Sequence, residues 1–265
     1  MSNSNLYVEK LGSSLLANEQ GLDTVRVEQY VDGFVERYML DSGSLRKGLI
    51  VTTSGATAVG RCVDRMLGYD GETLIDEQYA GQGFAYTFAG WQDAFARHGI
   101  RTVTTGLTHH QLGGGRWYHR LANRSERRLF QGIAHLNTER GVVMIVNEPD
   151  MVSNTEQMRL RTGGDNDGLG GVLAEAVGAD GYTIRTERGG VFDDGEGLVD
   201  IINRQNYRET MRMLAGRGKS EAGRGGMDTK VAAGWRTAQA GVSHVAISAV
   251  SHDMSLQNAT RFVVG

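Results

Sequence analysis

The sequence predicts an α/β fold with a mostly parallel central sheet and helices on both of its faces. Three observations predict it. Short runs rich in apolar and β-branched residues recur along the chain, with the nearly continuous apolar character of strands buried on both sides. Segments with apolar residues three and four apart fall between them, which is the spacing of a helix with one buried stripe. The alternation runs the whole length of 265 residues, with no internal repeat and no long low-complexity linker.

In chain order, the first strand is "LYVEKLG" (6–12). A helix follows over 24–40, where Val27, Tyr30, Val31, Phe34, Val35 and Tyr38 make one stripe. "GLIVTTSG" (48–55) is the second strand and runs into a small-residue helix start in "TTSGATAVG" (52–60). Helical spacing returns over 79–98, before the strand "RTVTTGLT" (101–108). A helix at 121–138 precedes "GVVMIVNE" (141–148), and one at 169–179 precedes "GYTIRT" (181–186). Helices over 198–215 and 229–240 come next, then the strands "SHVAISAV" (243–250) and "RFVVG" (261–265). "AGRGKSEAGRGGM" (215–227) has the composition of a flexible segment.

Composition narrows the function classes. The length fits a single domain, 1–265, with a sizeable core. A net charge of −3 with dispersed arginines gives no basic surface for nucleic acid. One cysteine, Cys62, allows no disulfide within the chain and fits a reducing, cytoplasmic setting. No apolar run approaches the roughly 18 to 20 residues that span a bilayer. "MSNSNLYVEK" has neither a basic nor an apolar leader region, so no signal peptide and no membrane association are expected. The seven histidines show no HExxH or Cys/His spacing, so no protein-held metal is expected. Trp91, Trp117 and Trp235 read as packing residues. The unusual feature is 38 glycines against one proline, Pro149, with clusters at 113–115, 163–171, 189–190 and 223–226.

Ligands of such sheets bind at the carboxyl ends of the strands, so the strand-to-loop transitions hold the candidate chemistry. "EKLGSS" places Lys10 before Gly12 and Ser13: a point charge, then main-chain N–H groups that can face a phosphate. It lacks Walker spacing, and a plain strand end with a helix cap would look the same. In "TTSGA", Ser54, Gly55 and Ala56 open a helix whose N–H groups could receive a carboxylate, or form an ordinary βα turn. "VNEPDMV" sets Asn147, Glu148 and Asp150 at a strand end, where amide and carboxylate can hold a substrate ammonium, or close an Asx turn. "GGDNDGLGG" (163–171) holds Asp165, Asn166 and Asp167 among five glycines. An N-cap accounts for Asp167 but leaves Asp165 and the glycines unexplained. "GRGGMDTKVAAGW" (223–235) is a glycine loop entering a helix with Lys230 in its first turns, an anion-binding arrangement or a linker.

Taken in order, "KLGSSLL", "VTTSGATAVGR", "VNEPDMVS", "GGDNDGLGGVLAEAVGADGYTIRTERGGVF" and "GRGGMDTKVAAGWRTAQAGVSHVAIS" resemble the amino acid kinase family over nearly the full chain. Within it the likeness is to the members that phosphorylate the γ-carboxylate of L-glutamate at the start of proline synthesis. The resemblance implies a three-layer αβα sandwich, with an amino-acid lobe over about 1–168 and a nucleotide lobe over about 169–265. It implies ATP and Mg2+, a dimer or tetramer, and a glutamyl phosphate reductase that consumes the product. It also implies residue roles. Lys10 and Lys230 would neutralise the transferring phosphates, and Asp167 would organise both lysines. Ser54, Gly55, Ala56, Asn147, Asp150 and Asn166 would hold the amino acid. Gly12, Ser13, Thr186, Glu187, Arg224, Gly225, Gly226, Met227, Thr229 and Lys230 would hold the nucleotide. The chain departs from the family pattern at Pro149, where an asparagine is usual, and at Glu187, which replaces an aspartate. About four extra residues precede "GDND", a "DP" segment after Phe192 is missing, and the RNA-binding-like (PUA) domain of longer relatives is not expected. An acceptor other than glutamate, another small carboxylate or a phosphonate, and a catalytically silent regulatory binder are the competing readings.

Overall fold

The computed structural model describes residues 5–39, 47–69, 71, 73–108, 111–112, 124–149, 151, 166–215 and 226–264. The chain order is β1 (Leu6–Leu11), α1 (Ser13–Leu16), β2 (Ala17–Asn18), β3 (Gly21–Leu22), α2 (Thr24–Tyr38), β4 (Gly48–Thr52), α3 (Ala56–Met66) and α4 (Asp76–Arg97). It continues with β5 (Arg101–Gly106), α5 (Arg124–Glu139), β6 (Val142–Asn147), α6 (Asn166–Val177), β7 (Gly181–Thr186), β8 (Ile201–Ile202), α7 (Tyr207–Ala215), α8 (Met227–Gln239), β9 (His244–Ala249) and β10 (Gln257–Phe262).

Among the described residues, eight strands form one sheet in the order β5-β6-β4-β1-β7-β9-β10-β8. Every pairing from β5 to β9 is parallel, and β10 reverses against β9. The sheet crosses the expected lobe boundary without a break, because β1 pairs directly with β7. Successive strand side chains point to opposite faces, and the core divides accordingly. Leu6 and Val8, Ile50, Met144 and Val146, and Tyr182 and Ile184 join α6 and α8 in one apolar cluster. Leu11, Leu49, Val51, Val143 and Ile145 join α2 and α4 in the other. The two clusters lie on opposite faces of the sheet, each beneath a layer of helices, which makes an αβα sandwich, as expected. Trp91 and Trp235 are buried packing residues, also as expected, and Trp117 lies outside the described residues. No helix among the described residues is long and apolar enough to cross a membrane.

Two expected elements differ. The helix predicted over 198–215 is confined to 207–215. Before it, Leu198 bridges Phe192, Ile201 and Ile202 pair with β10, and the Asn203 side chain accepts from the Gln205 and Asn206 N–H groups. The last strand spans 257–262 rather than 261–265.

Close backbone contact between α3 and α4 sets the start of α3. A Cβ on Gly60 would overlap the Tyr79 carbonyl, and one on Gly83 would overlap the Ala56 carbonyl. Neither carbonyl can withdraw without parting the helices. Gly83→Ala is therefore expected to cost about 1–3 kcal/mol by overpacking, read as a lowered urea midpoint. An unchanged midpoint would show that the two helices have room to separate.

Candidate functional site

Register brings the suspected strand ends into one row. Lys10 is level with Thr52 on β4 and Ile184 on β7, and Thr52 is level with Val146 on β6. Gly12, Ser54, Glu148 and Thr186 each lie two residues further on, along the carboxyl edge of the parallel strands. Lys10 follows Leu6 and Val8 in the two-residue alternation, so it projects to the face covered by α6 and α8. There it meets Asp167, in the first turn of α6.

Asp167 is the centre of the site. One carboxylate oxygen pairs with the Lys10 ammonium, and the other accepts from Lys230 Nζ at 3.0 Å. Asp167 is 1% exposed and Lys10 is buried, while the Lys230 side chain keeps 17% exposure. The Tyr182 hydroxyl donates to the Asp167 carbonyl at 2.6 Å, which fastens the start of α6 to β7. Burial pushes the Asp167 carboxyl upward. The charges of Lys10 and Lys230, with their hydrogen bonds, outweigh it and leave the group at about 2. The three groups sum to one positive charge, a seat suited to an anion.

The local sequence explains how each lysine arrives. Gly226 caps α8, its carbonyl accepting from the Thr229 hydroxyl at 2.8 Å, so Lys230 falls on the first turn. Met227, at the start of that helix, packs on the apolar cluster beneath. Gly12 has an ordinary extended backbone, φ −75° and ψ 163°. A Cβ there would sit 3.6 Å from Lys10 Nζ, an ordinary contact distance. Bare main chain thus lies beside the ammonium, and Ser13 opens α1 next to it.

On the other side of β1, Ser54 and Ala56 are buried. Gly55 caps α3 at φ +96°, a conformation that favours glycine. The preceding Thr53 hydroxyl accepts from the Trp91 indole at 2.9 Å, which fixes this strand end. Asn147 and Glu148 are buried at the end of β6. Pro149 packs over Gly106, where a Cβ would lie 3.4 Å from the proline ring.

Not every predicted residue reaches Asp167. The Thr186 hydroxyl is engaged with the Gly189 main chain, accepting at 2.8 Å and donating at 2.5 Å. Glu187 is exposed on the rim, 3.7 Å from Arg26 of α2. Asp150, Asp165, Arg224 and Gly225 lie outside the described residues, as does the side chain of Asn166. Among the described residues no group of His, Cys, Asp or Glu is placed to hold a metal ion. Sequence reasoning missed Tyr182. It also missed a buried Glu9–Arg185 pair behind the site, whose signal was an unexplained charge in each of two apolar strands.

The sequence pattern described as the Amino acid kinase family matches residues 5–248. The chain is 31% identical over 268 residues to a protein named Glutamate 5-kinase from Marinomonas sp. (strain MWYL1), covering 97% of this chain and 66% of that one. A Glutamate 5-kinase from Bordetella petrii is 32% identical over 249 residues, with 91% of this chain and 60% of that one covered. The chain therefore spans about 60 to 66% of the length of these two relatives. Among solved structures, the Giardia lamblia carbamate kinase bound to AMP-PNP superimposes with a TM-score of 0.61 at 13% identity, covering 98% of each chain. Aspartate kinase from Synechocystis gives a TM-score of 0.54 at 15% identity, over 98% of this chain and 40% of that one. These two structures show the shared fold.

The depressed Asp167 carboxyl has a pH signature. Its folded value of about 2 lies below the ordinary 3.8. The ionised group therefore stabilises the fold fully above about pH 4, and that contribution is lost as pH falls towards 2, up to about 2 kcal/mol. The difference in unfolding free energy between the wild type and Asp167→Asn should shrink by that amount from pH 5 to pH 2. A difference that stays flat across this range would contradict the ion-pair account.

Proposed function

The chain belongs to the amino acid kinase family, and we propose that it is a glutamate 5-kinase, transferring the γ-phosphoryl group of Mg-ATP to the γ-carboxylate of L-glutamate. The observation that carries this reading is the convergence of two ammonium groups on one buried carboxylate at the carboxyl edge of the sheet. The curated relatives named Glutamate 5-kinase support the choice of acceptor.

In the proposed reaction a γ-carboxylate oxygen attacks the γ-phosphorus in line. A new O–P bond forms as the bond to the β-phosphate oxygen breaks, releasing ADP and L-glutamyl 5-phosphate. A carboxylate is already a nucleophile at neutral pH, so no general base is needed. Catalysis is then positioning and charge neutralisation, which fits a centre of lysines without histidine. Lys10 and Lys230 neutralise the phosphates in transit, and Asp167 holds both ammoniums in place without leaving the protein. Mg2+ enters with ATP as part of the substrate.

The remaining roles divide along the sheet. Ser54, Gly55, Ala56, Asn147, Asp150 and Asn166, beyond β4 and β6 and at the start of α6, hold the amino acid. Gly12, Ser13, Thr186, Glu187 and the loop from Arg224 through Met227 and Thr229 to Lys230 hold the nucleotide. Thr186 acts by shaping the turn to Gly189. An acyl phosphate is unstable in water, so a glutamyl phosphate reductase consumes it, and the enzyme works as a dimer or tetramer.

The test is ADP release and hydroxamate formation with Mg-ATP, hydroxylamine and a panel of L-glutamate, N-acetyl-L-glutamate, L-aspartate and D-glutamate. Hydroxamate with L-glutamate alone is expected. Turnover of a different acid alone would move the acceptor assignment to the loop at Pro149 and keep the phosphoryl chemistry. Lys10→Ala and Lys230→Ala should each lower kcat by about 100-fold or more, with the folded state retained by circular dichroism. Full turnover by Lys230→Ala would contradict the mechanism.

A further inference from the structure

Directly behind the site, on the opposite face of the sheet, lies a charged cluster that the reaction does not touch. Glu9 precedes Lys10 on β1 and Arg185 precedes Thr186 on β7, both at 0% exposure. Glu9 is level with Thr183 and Leu11 with Arg185, so the two charges are diagonal neighbours on one face. The guanidinium grips the carboxylate with both edges, Nε to Oε2 at 2.8 Å and Nη2 to Oε1 at 3.1 Å. Its remaining N–H groups donate to the carbonyls of Ala249 at 3.1 Å, Ser255 at 2.9 Å and Met254 at 2.6 Å. All five donors of the fork are engaged. The Tyr38 hydroxyl donates to Glu9, and Arg37 donates to the same Met254 carbonyl at 2.6 Å. Burial, then the charge of Glu9, holds the Tyr38 phenol well above its ordinary 10, so it stays a donor.

Stability does not account for this cluster. A buried ion pair adds little over apolar residues of the same volume, and apolar side chains fill the rest of this layer. What the pair supplies is a fixed geometry. A planar, fully engaged fork locks β1, β7, the end of β9 and the turn that follows it. Met254 sits in that turn at φ +51°, a conformation uncommon for a residue with a side chain. The turn after β7 is tied to the same peptide: the Val250 N–H, next to the Ala249 carbonyl that Arg185 holds, donates to the Thr186 carbonyl at 3.0 Å.

We propose that Glu9 and Arg185 are positioning residues, which act through the ends of β1 and β7 to aim the Lys10 ammonium and to shape the Thr186–Gly189 turn for the nucleotide. The inference rests on the phosphoryl-transfer reading of the site.

The test compares the full chain with Tyr38→Phe, the double variant Glu9→Leu/Arg185→Met, and Val27→Ala as a control for loss of packing in the same layer. Three quantities are read: kcat with the best acid, the calorimetric Kd for Mg-ATP, and the thermal midpoint. The double variant should lose about tenfold or more in kcat and weaken Mg-ATP binding severalfold. Val27→Ala should lower the midpoint and leave kcat and Kd alone. Tyr38→Phe keeps the ion pair and removes one hydroxyl, so a smaller loss in kcat and affinity is expected. It decides the matter if the double variant does not fold. Wild-type kcat and Kd in a folded double variant, or in Tyr38→Phe when the double does not fold, would overturn the inference. A wild type that turns over no acid would overturn the reading of the reaction instead, and the Mg-ATP Kd would still report on the pair.

Discussion

Asp167 can stay ionised at 1% exposure because two ammonium groups reach it. Burying a lone carboxylate costs several kcal/mol, so the fold must deliver both lysines or lose the charge. That requirement explains much of the architecture around it. β1 must end with its even-numbered positions facing α6, and α8 must begin close enough to α6 for its first turn to touch Asp167. Tyr182 must hold the start of α6 against β7. The arrangement leaves one positive charge in excess beside the main chain at Gly12.

The two-residue period of β1 then produces an inside-out arrangement. Lys10 faces Asp167 and Glu9 faces the opposite way, into the α2 layer. The same period on β7 sends Arg185 to Glu9 and leaves Tyr182 and Ile184 under α6. One short strand pair therefore serves a charged site on one face and a charged brace on the other. The cross-strand fork ties the β1 strand end, where Lys10 sits, to β7.

Much of this was legible in the sequence. Lys10, Asp167 and Lys230 each had a bland alternative in the sequence, a strand end, a helix cap and a linker, and the resemblance to the amino acid kinase family grouped them. The structure brings all three together. The positions of the buried strands along the chain were legible as apolar runs, while their order across the sheet was not. Other features carried weaker signals. Leu198, Ile201 and Ile202 fall at helical spacing, yet Ile201 and Ile202 pair with β10, and a two-residue strand has no periodicity to read. β10 is half-buried, with Thr260 and Phe262 inward and polar residues between, so a search for apolar runs found only its end. The contact of Glu187 with Arg26 on the rim joins residues 161 positions apart and has no signal in the local sequence. Glu9 and Arg185 are 176 residues apart in sequence, and only the β1–β7 pairing makes them neighbours.

The central claim is that the two ammoniums around Asp167 form the seat of the transferring phosphoryl group. A crystal structure with Mg-AMP-PNP and L-glutamate tests it most directly. The account predicts γ-phosphoryl oxygens within about 2.7–3.2 Å of both Lys10 Nζ and Lys230 Nζ, with Asp167 still between them and the glutamate γ-carboxylate opposite the β-phosphate. Phosphates bound elsewhere, with the Lys10–Asp167–Lys230 cluster closed and untouched, would contradict it.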